Sequence, residues 1–205
     1  MIEGVALSGG RSSRFGSDKA VARIGDRTML EIALANLSEV CDKVAVSVGD
    51  RSRDCSPYIA IPDLRSDCGP IAGIEAAMEQ SEADRLLFTT CDMPLISPRI
   101  LRKLIDEYDR SKGAEATAYI TPAGELKVFP LLIAKSVLPR LSLFLYETQK
   151  SDAGGKGRKG GKSVRRFLER ISLRPVPLEE DEVAEFINVN TVRELSSIAG
   201  QASSG

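Results

Sequence analysis

The chain has 205 residues, a net charge of -1 at pH 7 and 28% charged residues. This length suits one domain with a substantial core, and the charge balance excludes the strongly basic proteins that bind nucleic acid or anionic membranes through their net charge. The absence of histidine excludes Ser-His-Asp and Cys-His nucleophile systems, so any metal must be held by oxygen ligands, which suits Mg²⁺.

The cysteines and the beginning of the chain indicate the cellular compartment. Four cysteines are widely spaced and include no CxxC pair, which argues against a disulfide scaffold or a zinc site. No apolar run reaches the length of a transmembrane helix, and the first residues lack the basic-then-apolar order of a signal peptide. We therefore expect a cytoplasmic protein with reduced thiols.

The first predicted element is a short apolar strand over residues 3 to 8, which leads into a glycine-rich bend. The glycines over residues 9 to 16 allow a tight turn in which several N–H groups face one point, and such concave sets bind anions. Arg11, Arg14 and Lys19 add positive charge beside them. The spacings of the P-loop and of the dinucleotide-binding fingerprint both fail here. We interpret the bend as a polyphosphate cradle, with a turn carrying solvated charges as the alternative.

Strand and helix patterns alternate over residues 3 to 110. Thr28 and Glu31 have capping-box spacing, and Pro70 and Pro98 stand where a helix tolerates proline best, in its first turn. This alternation predicts a mainly parallel sheet covered by helices. The predicted elements are helices that begin near Met29, Pro70 and Pro98, strands over residues 44–48, 58–61, 85–90 and 116–120, and a strand over residues 125–133 that pairs antiparallel.

Polar residues and glycines follow several of these strands. Gly49 ends the second strand, Asp63 follows the third, and Asp92 follows the apolar fourth. Open α/β sheets bind ligands at the carboxyl ends of their strands, and a carboxylate in this position can hold Mg²⁺. On these residues alone, ordinary turn and helix-start chemistry is a more frequent explanation of Asp63, Gly69 and Asp92 than a binding site.

The composition changes between residues 146 and 162, where glycine, lysine and arginine dominate. This pattern predicts a mobile loop, with a flap that gathers around an anionic substrate as the alternative. The loop interrupts what we treat as a single domain over residues 1–199. Residues 200–205 are small and polar and are predicted to fray.

The C-terminal part contains two further capping patterns. Ser163 is predicted to cap a helix, and residues 173–176 are predicted to form a strand. Thr191 and Glu194 repeat the capping-box spacing. On the residues alone, Asn190 and Thr191 therefore indicate a helix cap more than a ligand site.

Four motifs, in the same order, resemble those of the nucleotidyltransferases that build molybdenum cofactor dinucleotides. Residues Leu7–Lys19 resemble the signature LxGGxSxRxGxDK, and Asp63 is followed by Gly-Pro-x-x-Gly at residues 69–73. The string Cys-Asp-Met-Pro at residues 91–94 resembles the metal-binding motif of the family, and Asn-x-Asn-Thr at residues 188–191 resembles its motif near the end of the chain. The motifs span nearly the whole chain.

The sequence departs from the family pattern in three places. Ser8 replaces the usual alanine and Phe15 the usual methionine. Residues 126–132 match the corresponding region only loosely, and this leaves the identity of the acceptor open.

The resemblance implies a fold and a reaction. The fold is α/β, the Rossmann-like fold of nucleotide-diphospho-sugar transferases, with three layers and a mainly parallel sheet that contains one antiparallel strand. The reaction is the transfer of GMP from GTP to molybdopterin, the pterin of the molybdenum cofactor, with Mg²⁺ as cofactor and pyrophosphate as the second product. Molybdoenzymes or cofactor-delivery proteins are possible partners, and neither nucleic acid nor a membrane is expected.

The resemblance also implies roles for single residues. Arg14 and Lys19 would counter charge on the leaving pyrophosphate, and Asp92 would be the metal ligand. Leu7 and Gly49 would border the guanine pocket. The backbone N–H groups of Ser8, Gly9 and Gly10 would hold the triphosphate, and Asn188 and Asn190 would contact the acceptor. The residues expected to contact nucleotide, metal or acceptor are Leu7, Ser8, Gly9, Gly10, Lys19, Gly49, Asp63, Gly69, Asp92, Asn188 and Asn190.

Two alternatives remain open on the sequence. One keeps the fold and changes the substrates, to CTP with the molybdenum cofactor or to a sugar phosphate or cobinamide phosphate as acceptor. The other is a nucleotide-binding module that regulates or assembles molybdoenzymes without turnover. The presence of Lys19 and Asp92 argues against the second alternative.

Overall fold

The computed structural model describes residues 1–9, 19–50, 54–153, 163–191 and 194–195, with Lys19 and residues 151–153 described by their backbone alone. The strands are β1 (Ile2–Leu7), β2 (Arg23–Ile24), β3 (Arg27–Thr28), β4 (Lys43–Gly49), β5 (Ile59–Pro62), β6 (Arg85–Thr90), β7 (Ala116–Ile120), β8 (Leu126–Ala134) and β9 (Leu173–Pro177). The helices are α1 (Met29–Ser38), α2 (Pro70–Gln80), α3 (Pro98–Arg110), α4 (Leu138–Ala153) and α5 (Val164–Leu168), and short 3-10 turns cover Lys19–Val21, Lys135–Val137 and Glu180–Phe186.

One sheet contains seven of the strands, in the order β5-β4-β1-β6-β8-β7-β9, and β2 and β3 form a separate antiparallel pair. Strand β8 runs antiparallel to both of its neighbours, β6 and β7. The other neighbouring pairs of this sheet are parallel. The predicted mainly parallel sheet with one antiparallel strand is therefore confirmed.

Helices cover both faces of the sheet. On one face, Ile71 of α2, Phe144 of α4 and Phe167 of α5 share a buried cluster with Val5 of β1. On the other face, residues of α1 and α3 pack with Ala6, the next residue of the same strand. Neighbouring residues of β1 thus serve opposite layers because side chains alternate along a strand. The predicted three-layer architecture is confirmed.

The predicted helix starts agree with local hydrogen bonds. The Thr28 hydroxyl accepts the Glu31 N–H at 3.1 Å, and the Glu31 carboxylate accepts the Thr28 N–H at 2.6 Å, which completes a capping box at α1. Pro70 and Pro98 are the first residues of α2 and α3. The Ser97 hydroxyl caps α3 by accepting the Ile100 N–H.

The predicted loop over residues 146 to 162 begins too early. Helix α4 continues to Ala153, because its buried residues Leu141, Phe144 and Leu145 anchor it in the core and the helix propagates from these turns. Residues 154 to 162 lie outside the described part of the chain. The pair β2–β3 was not predicted either, since strands of two residues show no alternation that a pattern could reveal.

Among the helices of the described residues, none is both long enough and apolar enough to cross a bilayer.

Candidate functional site

The carboxyl ends of β4, β1 and β6 meet at one edge of the sheet. Leu7 at the end of β1 is paired with Ser47 of β4 and with Thr90 of β6. The Leu7 carbonyl accepts the Cys91 N–H at 3.3 Å. The beginning of the glycine bend therefore lies beside the segment that carries Asp92.

One predicted phosphate donor has another partner. The backbone N–H of Ser8 donates to the Ser47 carbonyl at 2.9 Å, so it extends the sheet hydrogen bonds by one residue and is not available to a triphosphate. The role predicted for this N–H group is therefore wrong. Ser8 itself is buried at the edge of the sheet.

Gly9 is required by a close approach of two backbones. A Cβ atom at this position would lie 3.0 Å from both the Cα and the backbone N of Gly49, and backbone atoms cannot yield as a flexible side chain could. Gly10 and Arg14 lie outside the described residues, and of Lys19 only the backbone, at the start of a 3-10 turn, is described.

A cavity of about 350 Å³ opens between the glycine bend and the segment that joins β5 to α2, residues 63–69. Five of the predicted site residues line it, and Asp92, Asn188 and Asn190 do not. The lining residues are Leu7, Gly9, Ser47, Gly49, Asp50, Asp63, Arg65, Ser66, Asp67, Gly69, Pro70 and Gly73.

Asp63 has an incompletely bonded carboxyl group at this cavity. Its backbone N–H donates to the Gly49 carbonyl at 2.8 Å, which fixes the residue at the end of β5. Its Oδ1 atom is buried and has no hydrogen-bond partner among the described residues. Burial raises the pKa of Asp63, the charge of Asp50 raises it further, and a hydrogen bond with the Ser47 hydroxyl opposes both. A buried acceptor without a partner is typical of a site that receives a donor from a ligand.

The backbone around the cavity contains several residues in the left-handed region. Gly49 and Gly69 have φ angles of 69° and 70°, and Asp67 has a φ angle of 55°. An aspartate tolerates this region better than most residues, but at an energetic cost that surrounding contacts must offset. Gly69 also directly precedes α2, whose first N–H groups have no partners within the helix.

Asp92 and the C-terminal asparagines form a second part of the same sheet edge. Asp92 follows β6, and its carbonyl accepts the Val189 N–H at 2.7 Å. This bond places the exposed residues Asn188 and Asn190 beside the Asp92 segment. The predicted capping box is confirmed as well, since the Thr191 hydroxyl accepts the Glu194 N–H at 3.2 Å and the Glu194 carboxylate accepts the Thr191 N–H at 3.0 Å.

The donors available for a metal are few. No group of three or more aspartate, glutamate or cysteine side chains that could hold a metal ion occurs in the described ranges. Mg²⁺ keeps several waters and is bound through one or two carboxylates together with substrate phosphates. A single aspartate at a strand end, as at Asp92, therefore fits Mg²⁺ that enters with a nucleotide, and it does not fit a metal held by protein ligands alone.

Three charged residues of the cavity lining, Asp50, Arg65 and Asp67, are not among the site residues predicted from the sequence. Asp50 follows Gly49 directly, so its place after a strand was the one available signal. Arg65 had no local signal, because its partners are Glu75 on α2, ten residues away, and Gln149 on α4, 84 residues away.

Solved structures share this fold. The crystal structure of molybdopterin-guanine dinucleotide biosynthesis protein A from Archaeoglobus fulgidus is similar with a TM-score of 0.78 and 21% identity, over 99% of this chain and 100% of that chain. A complex of the Mycobacterium tuberculosis protein Rv0371c with manganese is similar with a TM-score of 0.59 and 19% identity, over 86% of this chain and 87% of that chain. At these identities the likeness shows the fold.

Similarity in sequence extends over nearly the full length. The molybdenum cofactor guanylyltransferase of Xanthomonas euvesicatoria pv. vesicatoria is 28% identical over 196 residues, which cover 95% of this chain and 93% of that protein. The family model described as the MobA-like NTP transferase domain matches residues 4–171. The resemblance predicted from the four motifs is thereby confirmed, and the chain belongs to the family of MobA-like NTP transferase domains.

Proposed function

We propose that the protein is a guanylyltransferase that transfers GMP from GTP to molybdopterin, giving molybdopterin guanine dinucleotide and pyrophosphate. The observation that carries this proposal is the arrangement of Asp63 and Asp92 on either side of β1, the strand that leads into the glycine bend. One faces a cavity suited to a base, and the other follows the neighbouring strand, where the phosphates would lie.

The chemistry needs alignment and charge neutralisation more than proton transfer. The terminal phosphate of the pterin attacks the α-phosphorus of GTP, and the pyrophosphate leaves. A phosphate oxygen is already ionised, so the attacking group needs no general base and the absence of histidine carries no cost. Positioned charges and N–H groups supply the catalysis in reactions of this type.

The phosphates would be held near the glycine bend. In this proposal the N–H groups of Gly9 and Gly10 face the triphosphate, while Arg14 and Lys19 counter the charge of the leaving pyrophosphate. Nucleotidyltransferases of this family generally use a divalent metal ion. We assign Mg²⁺ to Asp92; when bound, the ion would neutralise charge across the reacting phosphates.

The cavity would take the guanine base. Leu7 and Gly49 border it, and the buried Oδ1 of Asp63 offers an acceptor to an N–H group. Guanine has such donors on its N1 and N2 atoms. Asn188 and Asn190, on the other side of Asp92, would meet the acceptor pterin.

The same proposal implies the substrates, the partner proteins and the location of the reaction. GTP and molybdopterin are the substrates, and molybdoenzymes or cofactor-delivery proteins would receive the product. All four cysteines are free thiols, which agrees with the expected cytoplasmic location, where thiols stay reduced.

Release of pyrophosphate tests the proposal. With molybdopterin cofactor as acceptor and Mg²⁺ present, we expect release from GTP and far less from CTP or ATP. Asp92→Asn and Lys19→Ala should each lower kcat by about 100-fold, the scale of removing one group that stabilises transition-state charge.

Asp106→Asn and Lys112→Ala are matched controls, because both residues are exposed and lie outside the cavity lining. Turnover with CTP in place of GTP would contradict the base assignment. Near-normal turnover of Asp92→Asn would contradict the metal assignment.

A further inference from the structure

Arg65 lies in the wall of the cavity and pairs with two helices at once. Its Nε donates to Oε2 of Glu75 at 2.6 Å and its Nη2 to Oε1 at 3.1 Å, so the guanidinium and the carboxylate meet as a two-bond fork. Its Nη1 donates to Oε1 of Gln149 at 2.9 Å. Glu75 belongs to α2 and Gln149 to α4. Arg65 therefore ties the segment of residues 63–69 to both helices.

The charge of Arg65 is directed away from a ligand. The Glu75 side chain is 3% exposed, whereas that of Arg65 is 26% exposed. A buried carboxylate needs a hydrogen-bonded cation, and the planar guanidinium is well suited to the fork. The other charged residues in the cavity lining are Asp50, Asp63 and Asp67. With Arg65 neutralised by Glu75, the wall does not attract phosphate, which indicates a role in positioning.

Residues 63–69 need such a support. Asp63, Ser66, Asp67 and Gly69 all line the cavity and lie on this segment. Asp67 has a positive φ angle, which in a residue other than glycine persists only where neighbouring contacts hold it. The backbone hydrogen bond from Asp63 to Gly49 fixes the beginning of the segment, and α2 fixes its end. Arg65 provides the charged lateral contact in between, beside a weaker one in which Gln149 Nε2 donates to the Cys68 Sγ at 3.7 Å.

We propose that Arg65 is a positioning residue for the nucleotide. Its fork with Glu75 and its bond to Gln149 hold residues 63–69 in the conformation that brings Asp63 and Gly69 to the base. The inference rests on the proposed function, since it concerns the same cavity. Because the reacting phosphates would lie on the Asp92 side, loss of the fork should weaken nucleotide binding and leave the chemical step intact.

The test compares a single variant with a double variant. Arg65→Met leaves Glu75 buried without its cation, so we expect a lower Tm together with weaker GTP binding. Arg65→Met/Glu75→Met replaces the pair with apolar side chains of similar length, which commonly restores stability. If the segment then occupies the binding conformation about a tenth of the time, the KM for GTP and the Kd of GTP measured by calorimetry rise about tenfold, and kcat changes less than about twofold.

Two further variants complete the test. Arg65→Lys keeps the charge without the fork, and its KM should lie between those of the wild type and the double variant. Arg140 makes a comparable two-bond pair with Glu115 away from the cavity, so Arg140→Met should leave the KM and the Kd unchanged.

The outcomes distinguish failure of the positioning role of Arg65 from failure of the proposed function. A double variant with both Tm and KM restored to wild-type values would overturn the inference, because Arg65 would then act on stability alone. A tenfold fall in kcat with an unchanged KM would overturn it too. Failure of the wild type to bind GTP would instead remove the proposed function, and the inference with it.

Discussion

Asp63 and Asp92 are both aspartates within two residues of the end of a strand, yet their surroundings differ. Asp63 faces a cavity, close to Asp50, and has a buried oxygen without a partner among the described residues. Asp92 lies on the other side of β1, and its backbone carbonyl accepts the Val189 N–H of the C-terminal segment. These surroundings are the basis for the different roles that we propose for the two residues, Asp63 towards the base and Asp92 towards the metal ion.

The raised pKa of Asp63 makes the stability of the protein depend on pH in a definite direction. A carboxyl whose pKa is raised on folding contributes stability that is fully present below its unfolded value, near 3.8, and is lost as the pH rises through the folded value. Asparagine does not ionise, so the Asp63→Asn variant does not lose this stability as the pH rises. We expect the variant to have a higher Tm than the wild type at pH 7, by less than about 4 °C, and an equal Tm below about pH 4.

Thermal unfolding at several pH values measures this effect, with Asp106→Asn as the exposed control. The same variant should bind GTP more weakly, because an amide oxygen is a poorer acceptor than a carboxylate. A lower Tm for Asp63→Asn at neutral pH would mean that its ionised form is stabilised on folding.

At the scale of elements, the packing of α2 against β4 is close enough to require glycine. A Cβ atom on Gly73 would lie 2.3 Å from the Ser47 Oγ and 3.2 Å from a Leu7 methyl group. Gly73, the second glycine of the Gly-Pro-x-x-Gly motif, thus allows the helix to approach the strand ends. The cavity keeps its shape because α2 lies this near to the sheet.

Gly73→Ala should destabilise the protein. Overpacking of this kind costs about 1–3 kcal/mol, and the better helix propensity of alanine returns at most about 1 kcal/mol. Ser47→Ala removes the nearest atom, so in the double variant the cost should shrink and the coupling between the two sites should exceed about 0.5 kcal/mol.

Urea unfolding of both single variants and the double variant gives this coupling. Ser111→Ala serves as the control for loss of a serine hydroxyl elsewhere. Strictly additive effects would show that α2 shifts to accommodate the methyl group without pressing on Ser47.

At the scale of the molecule, ion pairs between the buried Glu182 and two residues of α3 hold the C-terminal segment near the candidate site. Glu182 is 2% exposed in the 3-10 turn Glu180–Phe186, and it pairs with Lys103 at 2.7 Å and with Arg99 at 2.9 Å. Phe186 packs edge-on against Tyr119, with ring centroids 5.1 Å apart. The chain after this turn reaches Asp92. The α3 layer therefore positions the segment that contains Asn188 and Asn190.

The pKa of Glu182 shows how this pair responds to acid. Burial raises the pKa, but hydrogen bonds from Lys103 and from the Glu179 N–H, with the Lys103 and Arg99 charges, outweigh burial and lower it overall. A lowered pKa contributes stability above the unfolded value, near 4.5, which is lost as the pH falls through the folded value. Glu182→Gln should therefore cost about 1.5–3 kcal/mol at pH 7 and progressively less in acid.

Urea unfolding at pH 7 and at pH 4 measures this difference. Glu180→Gln, an exposed neighbour in the same turn, is the control. An equal cost at both pH values would show that shape, and not charge, decides the contribution of Glu182.

Much of the fold followed from signals within a few residues. Thr28 with Glu31 and Ser97 with Pro98 mark helix starts, since a cap bonds to N–H groups two or three positions ahead. Apolar runs predicted the strands β1, β4 and β6. The polar residues after these runs predicted the sheet edge at which the carboxyl ends of the strands meet. The motifs from Leu7 to Thr191 indicated the family in the same way, because each is a short local string and the four occur in the same order as in the family.

Other features depended on contacts between distant parts of the chain. The Ser8 N–H is used by the sheet because Ser47 lies beside it, and Arg65 finds Gln149 across a separation of 84 residues. The length of α4 and the unpartnered oxygen of Asp63 likewise depend on which side chains surround them. Local patterns determine where most helices begin. Packing determines how far a helix such as α4 continues and which polar groups are left for a ligand, and packing exists only once the chain has folded.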